Sequence, residues 1–472
     1  MALLYVFLAR RCTRFRRIRS SLSSYLMQST FSKIWFVASV ALLAFLIGFA
    51  VRAARVPPND VLKQAWMQAR STVEPPTFLK PRVHDRSGVR RADPDAMQDG
   101  VTLLTSTWKG PEGWSPRIRL INRAGDVLHE WRIDETALFA DSLDLSRKHY
   151  LHGSHLLPNG DVLFNVEHGG TARVDACGTV KWRLPIGTHH SIDRAADGSF
   201  WVSDLTQSLR RTSSAYPDGY PGLEAAYFDR LTRISPEGQV LQTIGVLDIL
   251  YGSDLARYVS KAYISGQQES PESDLPGTDP THLNDVEPLP PSMADEYPLF
   301  EAGDLLVSLR NVHLVFVLDP ETETVKWHAS EPFIMQHDPD FIGDGWIGVF
   351  DNNRDFTERG TVQGGTRIIG IQPHTDSTRK LFPTPQSESF HTKKGGKWQL
   401  LDNGNLLLTE HHAGRVMEVA PDGRTVWEWI HPPHEGSTVP AVQEGTRYDL
   451  SPDDLSDWPC ASKDFVRTPT PQ

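Results

Sequence analysis

A repeated unit of about 40 to 50 residues constrains the fold of this chain more than any other feature. Each clear copy contains a Gly turn with a hydrophobic strand, a second strand that ends in a polar turn, and a third strand that closes on tryptophan. These copies run from Asn159 to Trp182, from Gly303 to Trp327 and from Asn403 to Trp427. Their alternating, β-branched segments are typical of half-buried strands, and their order indicates a β-meander.

Three weaker copies bring the number of units to six. They run from Val101 to Ile133, from Gly198 to Val246 and from Gly345 to Phe382. A tandem series of such meanders is the signature of a β-propeller. With 39% hydrophobic residues, 35 Gly and 34 Pro in 472 residues, the composition also suits one large turn-rich β domain. The sequence therefore predicts an all-β, six-bladed propeller over residues 100–432 and a C-terminal tail over residues 433–472.

The N-terminal region is organised differently. Residues 34–51 are uncharged and would span about 27 Å as a helix, close to the thickness of the hydrocarbon core of a bilayer. The residues before them include seven basic and no acidic side chains, which by the positive-inside rule places residues 1–33 in the cytoplasm. We therefore expect a transmembrane signal-anchor helix over residues 34–51, a stalk over residues 52–99 and a propeller outside the cytoplasm.

A cleaved signal peptide is the alternative to an uncleaved anchor. The segment after the apolar run, Arg52-Ala53-Ala54-Arg55, forms a poor cleavage site and favours the anchor. The chain contains no Asn-x-Ser/Thr sequon, which favours a bacterial periplasm over a eukaryotic secretory route. We therefore expect a protein that crosses the inner membrane once and has its large domain in the periplasm.

Charge and cysteine content narrow the classes of function. The segment before residue 60 holds nine of the 48 Lys and Arg residues and none of the 59 Asp and Glu residues, so the remainder is strongly acidic. This charge argues against a nucleic acid partner. Cys12 is cytoplasmic in the expected topology, whereas Cys177 and Cys460 could form a disulfide in an oxidising compartment.

Histidines recur at one position of the repeat. Five of the six segments have a histidine upstream of a Gly turn and a hydrophobic strand: His155, His190, His282, His337 and His391. Because the first strand of each blade lines the central channel, these histidines are expected to meet at one mouth of it. The alternative is that each histidine only caps or hydrogen-bonds its local backbone.

Two motifs next to these histidines are more specific. His282-Leu283-Asn284 precedes a strand that ends in Ser308-Leu309-Arg310, and Gln336-His337-Asp338 precedes a strand that ends in Phe350-Asp351-Asn352. Together with the Trp-closed blades, they resemble the PAPS-independent aryl sulfotransferases of bacteria. Proteins of that family are six-bladed propellers that pass a sulfuryl group through a histidine.

The resemblance implies roles for particular residues. The nucleophile falls on His337, with His282 and Arg310 as further catalytic residues. Asn284 completes the His-x-Asn pair, and a late threonine of the family falls on Thr392. The substrate-binding residues implied are His190, Asn284 and Thr392; His155 and His189 compete with His190 for the position of an earlier family histidine.

The chemistry of these side chains agrees with the implied roles. Sulfuryl transfer is similar to phosphoryl transfer, in which positioned cations and donors stabilise charge on three equatorial oxygens. A neutral imidazole can attack sulfur and form a covalent intermediate, and His282 could deprotonate a phenol. The expected partners are an aryl sulfate donor and a phenolic acceptor, with no cofactor and no metal, although Arg310 could instead form a structural ion pair.

Two other functions are compatible with this pattern. Converging histidines could hold a transition metal, which would suit a metal- or quinone-dependent propeller oxidoreductase. The chain could also be a non-catalytic propeller scaffold in the cell envelope. It departs from the resembled family at Asn353, where Gly is usual, and it has no room for the additional N-terminal β-domain of the enteric enzymes, which leaves the substrates open.

Overall fold

The computed structural model describes residues 34–48, 77–111, 113–140, 150–264, 278–357 and 359–460. The chain divides into two compact units, Met1–Pro75 and Pro76–Gln472. In the first unit, residues 34–48 form helix α1. Within the described ranges, no helix is long and apolar enough to cross a membrane. The predicted cytoplasmic segment, the last residues of the predicted span (49–51) and the beginning of the predicted stalk lie outside the described residues.

The second unit is built from antiparallel strands that follow one another along the chain. It begins with β1 (Leu79–Pro81), β2 (Gly88–Ala92), β3 (Val101–Gly110), β4 (Gly113–Ile121) and β5 (Val127–Arg132). Two meanders follow: β6 (Leu151–Leu156), β7 (Val162–Val166), β8 (Gly170–Val174) and β9 (Val180–Leu184), then β10 (His189–Arg194), β11 (Phe200–Leu205), β12 (Asp229–Ile234) and β13 (Val240–Gly245).

Three further meanders and two terminal strands complete the unit. The meanders are β14 (Leu283–Pro288), β15 (Leu305–Leu309), β16 (Leu314–Asp319) and β17 (Thr324–Ala329); β18 (His337–Phe341), β19 (Ile347–Asp351), β20 (Arg367–Gln372) and β21 (Ser377–Phe382); and β22 (Trp398–Leu400), β23 (Leu406–Glu410), β24 (Arg415–Val419) and β25 (Thr425–Ile430). The terminal strands are β26 (Thr438–Pro440) and β27 (Val442–Tyr448).

Short helices connect some of the strands. They are α2 (Glu135–Phe139), α3 (Val246–Gly252) and α4 (Ala256–Ile264), with 3₁₀ turns at Ala294–Glu296, Arg310–Val312, His411–Ala413 and Asp454–Asp457. The 3₁₀ turn Arg310–Val312 follows the second strand of the fourth blade, and His411–Ala413 follows the second strand of the sixth. Arg310 and His411 therefore occupy the same position in their respective blades.

Among the described residues, six sheets of four or five strands form the blades, which confirms the predicted six-bladed all-β propeller, and β1 and β26 form a separate two-stranded sheet. The predicted limits at residues 100 and 432 need correction on both sides. Strand β27, from the predicted tail, pairs with β3 and supplies the first strand of blade one. Strand β2, from the predicted stalk, adds a fifth strand to blade six beside β25. These two pairings of N-terminal with C-terminal strands close the ring of blades and cover sheet edges that would otherwise be free.

The hydrophobic core lies between neighbouring blades. The second strands β7, β11, β15, β19 and β23 are buried along their whole length, whereas β9 and β21 on the outside are mostly exposed or half-buried. The second strands are rich in apolar residues because they pack against neighbouring blades on both faces. The predicted disulfide is present between Cys177, in the β8–β9 turn, and Cys460, which are 283 residues apart in sequence.

Candidate active site

The first strands of four successive blades bring histidines to one region of the channel. The ring of His190 lies 5.0 Å from that of His282, 6.1 Å from that of His337 and 3.9 Å from that of His152, measured between centroids. The predicted convergence therefore holds for His190, His282 and His337. His189 also belongs to the cluster, because its Nδ1 lies 2.9 Å from Nδ1 of His190.

Two of the predicted histidines are placed differently. His155 packs on Phe200, at 5.7 Å between ring centroids, in the layer between the second and third blades. His391 lies against Gly360 in the β19–β20 loop, and its backbone N–H donates to Oε1 of Glu410 at 2.9 Å. The site instead includes His152, three residues before His155 in the same strand.

A change in strand register turns these side chains into the channel. The pairing of each first strand with the second strand shifts near its start, between Leu151 and Ser154 in β6, His189 and Ile192 in β10, Leu283 and Asp285 in β14, and His337 and Pro339 in β18. Such bulges redirect a side chain and are common beside active sites. His190 and His282 also share a left-handed backbone, with φ of 54° in both.

His337 is held on both sides of its ring. Its Nδ1 lies 2.6 Å from Oδ1 of Asn352, and its Nε2 accepts a hydrogen bond from the backbone N–H of Gly395 at 3.2 Å. Burial lowers the pKa of His337 well below its ordinary value, and the nearby charge of Arg310 lowers it further. The imidazole is therefore neutral at pH 7.

Arg310 supplies the positive charge of the site. Its side chain is buried, and its Nε donates to Oδ1 of Asn311 at 3.2 Å. Burial lowers its pKa to about 10, against the opposing effect of Asp279, so the guanidinium stays charged at neutral pH. Among the described residues, no carboxylate forms a salt bridge with Arg310, and the effect of Asp279 on it is Coulombic.

The His-x-Asn pair contributes two polar atoms without partners. The Nδ1 of His282 is hydrogen-bonded to the carboxylate of Asp279, while its buried Nε2 has no partner among the described residues. Asn284 donates from Nδ2 to the carbonyl of Gln336 at 2.7 Å, and its Oδ1 is likewise without a described partner. Buried polar atoms of this kind are ordinarily satisfied, so they suit contacts with a bound ligand or water.

Thr392 is linked to His337 through the side chain of Asn352. Its carbonyl accepts a hydrogen bond from Nδ2 of Asn352 at 3.0 Å. Its hydroxyl donates to the carbonyl of Lys394 at 2.9 Å and lies 3.2 Å from Nδ1 of His412. In this structure the hydroxyl is thus engaged with its own loop.

A small cavity of about 30 Å³ adjoins the histidines. It is lined by His190, Asn284 and His337 and also by Lys397 and the carboxylates of Asp285, Asp338 and Glu444. Lys397 donates to Oδ1 of Asp338 at 2.9 Å, while burial raises the pKa of Glu444 to about 7. In the part of the chain that the structure describes, no group of three or more His, Cys, Asp or Glu side chains is arranged to hold a metal ion.

Sequence patterns did not assign a role to His152, Asn352 or Gly395. The repeat contained a usable signal for Asn352, because it occupies the position after the second strand of its blade, as Arg310 and His411 do in theirs. Gly395 could not be found in this way, since it lies in the loop between β21 and β22 and reaches His337 only through the fold.

A β-propeller that brings His190, His282 and His337 together and buries Arg310 defines the class of this protein. Comparison with protein families agrees with that class. The chain belongs to the arylsulfotransferase (ASST) family, whose model matches residues 152–431. The family assignment supports an aryl sulfotransferase activity. No curated protein matches the chain in sequence.

Several solved structures are similar to the chain. A protein of unknown function from Bacteroides caccae has 11% identity and a TM-score of 0.44, covering 70% of this chain and 94% of its own. An inactive variant of virginiamycin B lyase from Staphylococcus aureus has 11% identity and a TM-score of 0.34, covering 62% and 73%. The WD40 β-propeller domain of Doa1 has 10% identity and a TM-score of 0.38, covering 80% and 97%. No statement about activity follows from similarities this low.

Proposed function

We propose that this protein moves a sulfuryl group from an aryl sulfate ester to a phenolic acceptor by a ping-pong mechanism, without PAPS, through a covalent intermediate on His337. The observation that carries the proposal is the geometry of His337, a buried neutral imidazole whose Nδ1 is held by Asn352 beside the charge of Arg310. A neutral imidazole is a competent nucleophile.

In the first half-reaction, Nε2 of His337 attacks the sulfur of the donor. The N–S bond forms as the bond between sulfur and the aryl oxygen breaks, and the aryloxide leaves. Arg310 presents a planar set of donors that suits the oxygens of the sulfuryl group, where charge is spread in the transition state. Asn284 and His190, which line one cavity with His337, would assist in binding the donor.

In the second half-reaction, the oxygen of the phenolic acceptor attacks the sulfur and the N–S bond breaks. The phenolic proton passes to Nε2 of His282, which is neutral and has no described partner. Asp279, hydrogen-bonded to Nδ1 of His282, stabilises the imidazolium formed. That proton is then available to the next aryloxide, so the overall reaction exchanges one aryl sulfate for another and consumes no proton.

Initial-rate kinetics of the full chain test this proposal. Release of phenol from a chromogenic aryl sulfate should be accelerated by a second phenol, and double-reciprocal plots at several acceptor concentrations should be parallel. His337→Ala should abolish the release, whereas His155→Ala, which alters a histidine outside the site, should preserve it. Intersecting lines, or activity in His337→Ala, would contradict the mechanism.

We also propose that the propeller works outside the cytoplasm, in the bacterial periplasm. Support comes from the Cys177–Cys460 disulfide, since such bonds persist in oxidising compartments, and from the basic residues before the apolar run. A reporter protein that is active only after export, fused after Gln472, should be active. Activity of a reporter that requires the cytoplasm would contradict the proposal.

A further inference from the structure

Asn352 is the residue that contacts His337 most closely. It directly follows strand β19 and is fully buried. Its Oδ1 lies 2.6 Å from Nδ1 of His337, and its Nδ2 donates to the carbonyl oxygens of Thr392 and Gly395 at 3.0 and 2.9 Å. All the polar atoms of its side chain are therefore engaged.

These contacts fix the orientation of the amide. The carbonyls of Thr392 and Gly395 only accept hydrogen bonds, so the NH₂ group of Asn352 must face them and its oxygen must face His337. An amide oxygen also only accepts, so Nδ1 of His337 has to carry the proton. The N–H of Gly395, which points at Nε2 from 3.2 Å, requires a lone pair on that nitrogen and independently indicates the same tautomer.

We propose that Asn352 is the positioning residue that holds His337 as the Nδ1–H tautomer with its lone pair on Nε2, and that it does so with a neutral amide so that the sulfated histidine stays reactive. This inference rests on the proposed function, because it concerns the nucleophile of that reaction. Asn352 acts through His337 and is not itself placed against the substrate.

The neutral amide matters in the intermediate. After attack through Nε2, the sulfated ring retains its proton on Nδ1 and carries positive charge. A carboxylate at that nitrogen would stabilise the charged ring, as an aspartate stabilises the imidazolium of a Ser-His-Asp triad. It would therefore slow loss of the sulfuryl group and favour protonation of the free histidine. An amide oxygen fixes the same tautomer with a much smaller effect on charge.

The amide also places the loop that covers Nε2. By holding the carbonyl of Gly395, Asn352 positions the next contact of that residue, from its N–H to Nε2. Gly396 must be glycine for this loop to approach, since a Cβ there would lie 2.4 Å from the ring of Phe350. In the resting enzyme the N–H of Gly395 is hydrogen-bonded to the lone pair of Nε2. This hydrogen bond has to break before Nε2 can attack the sulfur of the donor.

Nitrogen NMR of the full chain labelled with ¹⁵N-histidine tests the tautomer without any substrate. The resonances of His337, assigned by their loss in His337→Ala, should show a proton on Nδ1 and none on Nε2. In Asn352→Leu, Nδ1 keeps only the carbonyl of Met335, at 3.2 Å, and the carbonyl of Gly395 loses its donor, so part of the population should change to the Nε2–H tautomer. The matched control is Asn353→Leu, since Asn353 bonds to the carbonyls of Gln363 and Gly365 and not to His337. A protonated Nε2 in the wild type, or an unchanged tautomer in Asn352→Leu, overturns the proposal.

The charge of the partner is tested with Asn352→Asp, again against Asn353→Asp. The first variant should move the acidic limb of kcat/KM to higher pH and lengthen the lifetime of the sulfated enzyme. Because loss of the sulfuryl group is then slower, kcat should fall by about 10- to 100-fold, the range for altering the partner of a functional histidine. The control should do none of these.

The proposed sulfation of His337 and the proposed role of Asn352 can be contradicted separately. If the wild type has the expected tautomer but forms no sulfated histidine, the proposed function is wrong and the positioning of His337 stands. If sulfation occurs on His337 but Asn352→Asp changes neither the pH profile nor the lifetime of the adduct, only the role of the neutral amide is wrong.

Discussion

The imidazole rings of His190 and His282 lie edge to face, with their centroids 5.0 Å apart. Two imidazolium ions at this distance in a buried site would repel each other strongly. Burial lowers the pKa of both histidines well below the ordinary value. Neighbouring histidines, His152 above all, lower the pKa of His190 further, whereas Arg310 and His189 lower that of His282 further. His190 and His282 are thus neutral imidazoles, and Arg310 is a buried cation whose charge acts on His282.

This arrangement predicts an unusual pH dependence. The folded-state pKa of His337 lies well below 6.5, and only the neutral ring can attack sulfur, so kcat/KM should stay level as the pH falls through 6.5. It should decline only at more acidic pH, where His337 becomes protonated. A pH–rate profile checks this expectation, and a limb with its midpoint near 6.5 would disagree with it.

The planar guanidinium of Arg310 should be essential for turnover. Arg310→Lys keeps a charge but loses the fork of donors, so we expect kcat to fall by about 10²-fold, the scale for one transition-state donor. Arg367→Lys is a suitable control, because Arg367 pairs with Asp351 through Nε at 2.6 Å and lies outside the histidine cluster. Steady-state kinetics of the two variants measure this effect. If kcat of Arg310→Lys equals that of Arg367→Lys, Arg310 has only a structural role.

Removal of His282 should separate the two half-reactions. His282→Ala should still form the sulfated enzyme slowly, because the nucleophile remains, but it should transfer the group poorly to weakly acidic phenols that need a base. Single-turnover measurements of adduct formation and decay report the two steps. Equal slowing of both steps, or of neither, would argue against a general base at His282.

The disulfide should contribute to stability and not to chemistry. Free-thiol counting on the unfolded, non-reduced protein should detect Cys12 alone. Cys460→Ser should lower the free energy of unfolding by about 2 to 4 kcal/mol, since the bond closes a very long loop, and leave kcat unchanged. Reactive Cys177 and Cys460 in the wild type would show that the bond does not form.

The sequence predicted the blades better than their closure. Turns and alternating strands are local signals, and they identified the repeat. Pairing of β27 with β3 joins Val442 to Ser106 and Tyr448 to Val101, across almost the whole chain. Neither strand contains a sequence pattern that indicates which strand it pairs with. The limits of the propeller could therefore not be predicted from the repeat.

The site was predictable to the extent that it follows the repeat. Position upstream of the Gly turn selected His190, His282 and His337, but it also selected His155 in place of His152. The register shift between Leu151 and Ser154 decides which side chain of β6 enters the channel, and no sequence pattern marks that shift. Contacts with the Thr392–Gly396 loop depend on tertiary packing and could not have been predicted at all.

Covalent sulfation of His337 is the central claim and can be measured directly. The full chain, incubated with an aryl sulfate donor and no acceptor, should gain about 80 Da, the mass of one SO₃ group, on a peptide that contains His337. The adduct should be labile to acid, disappear when a phenol is added, and be absent from His337→Ala. Sulfation of His190 or His391 instead, or transfer activity retained by His337→Ala, would contradict the account.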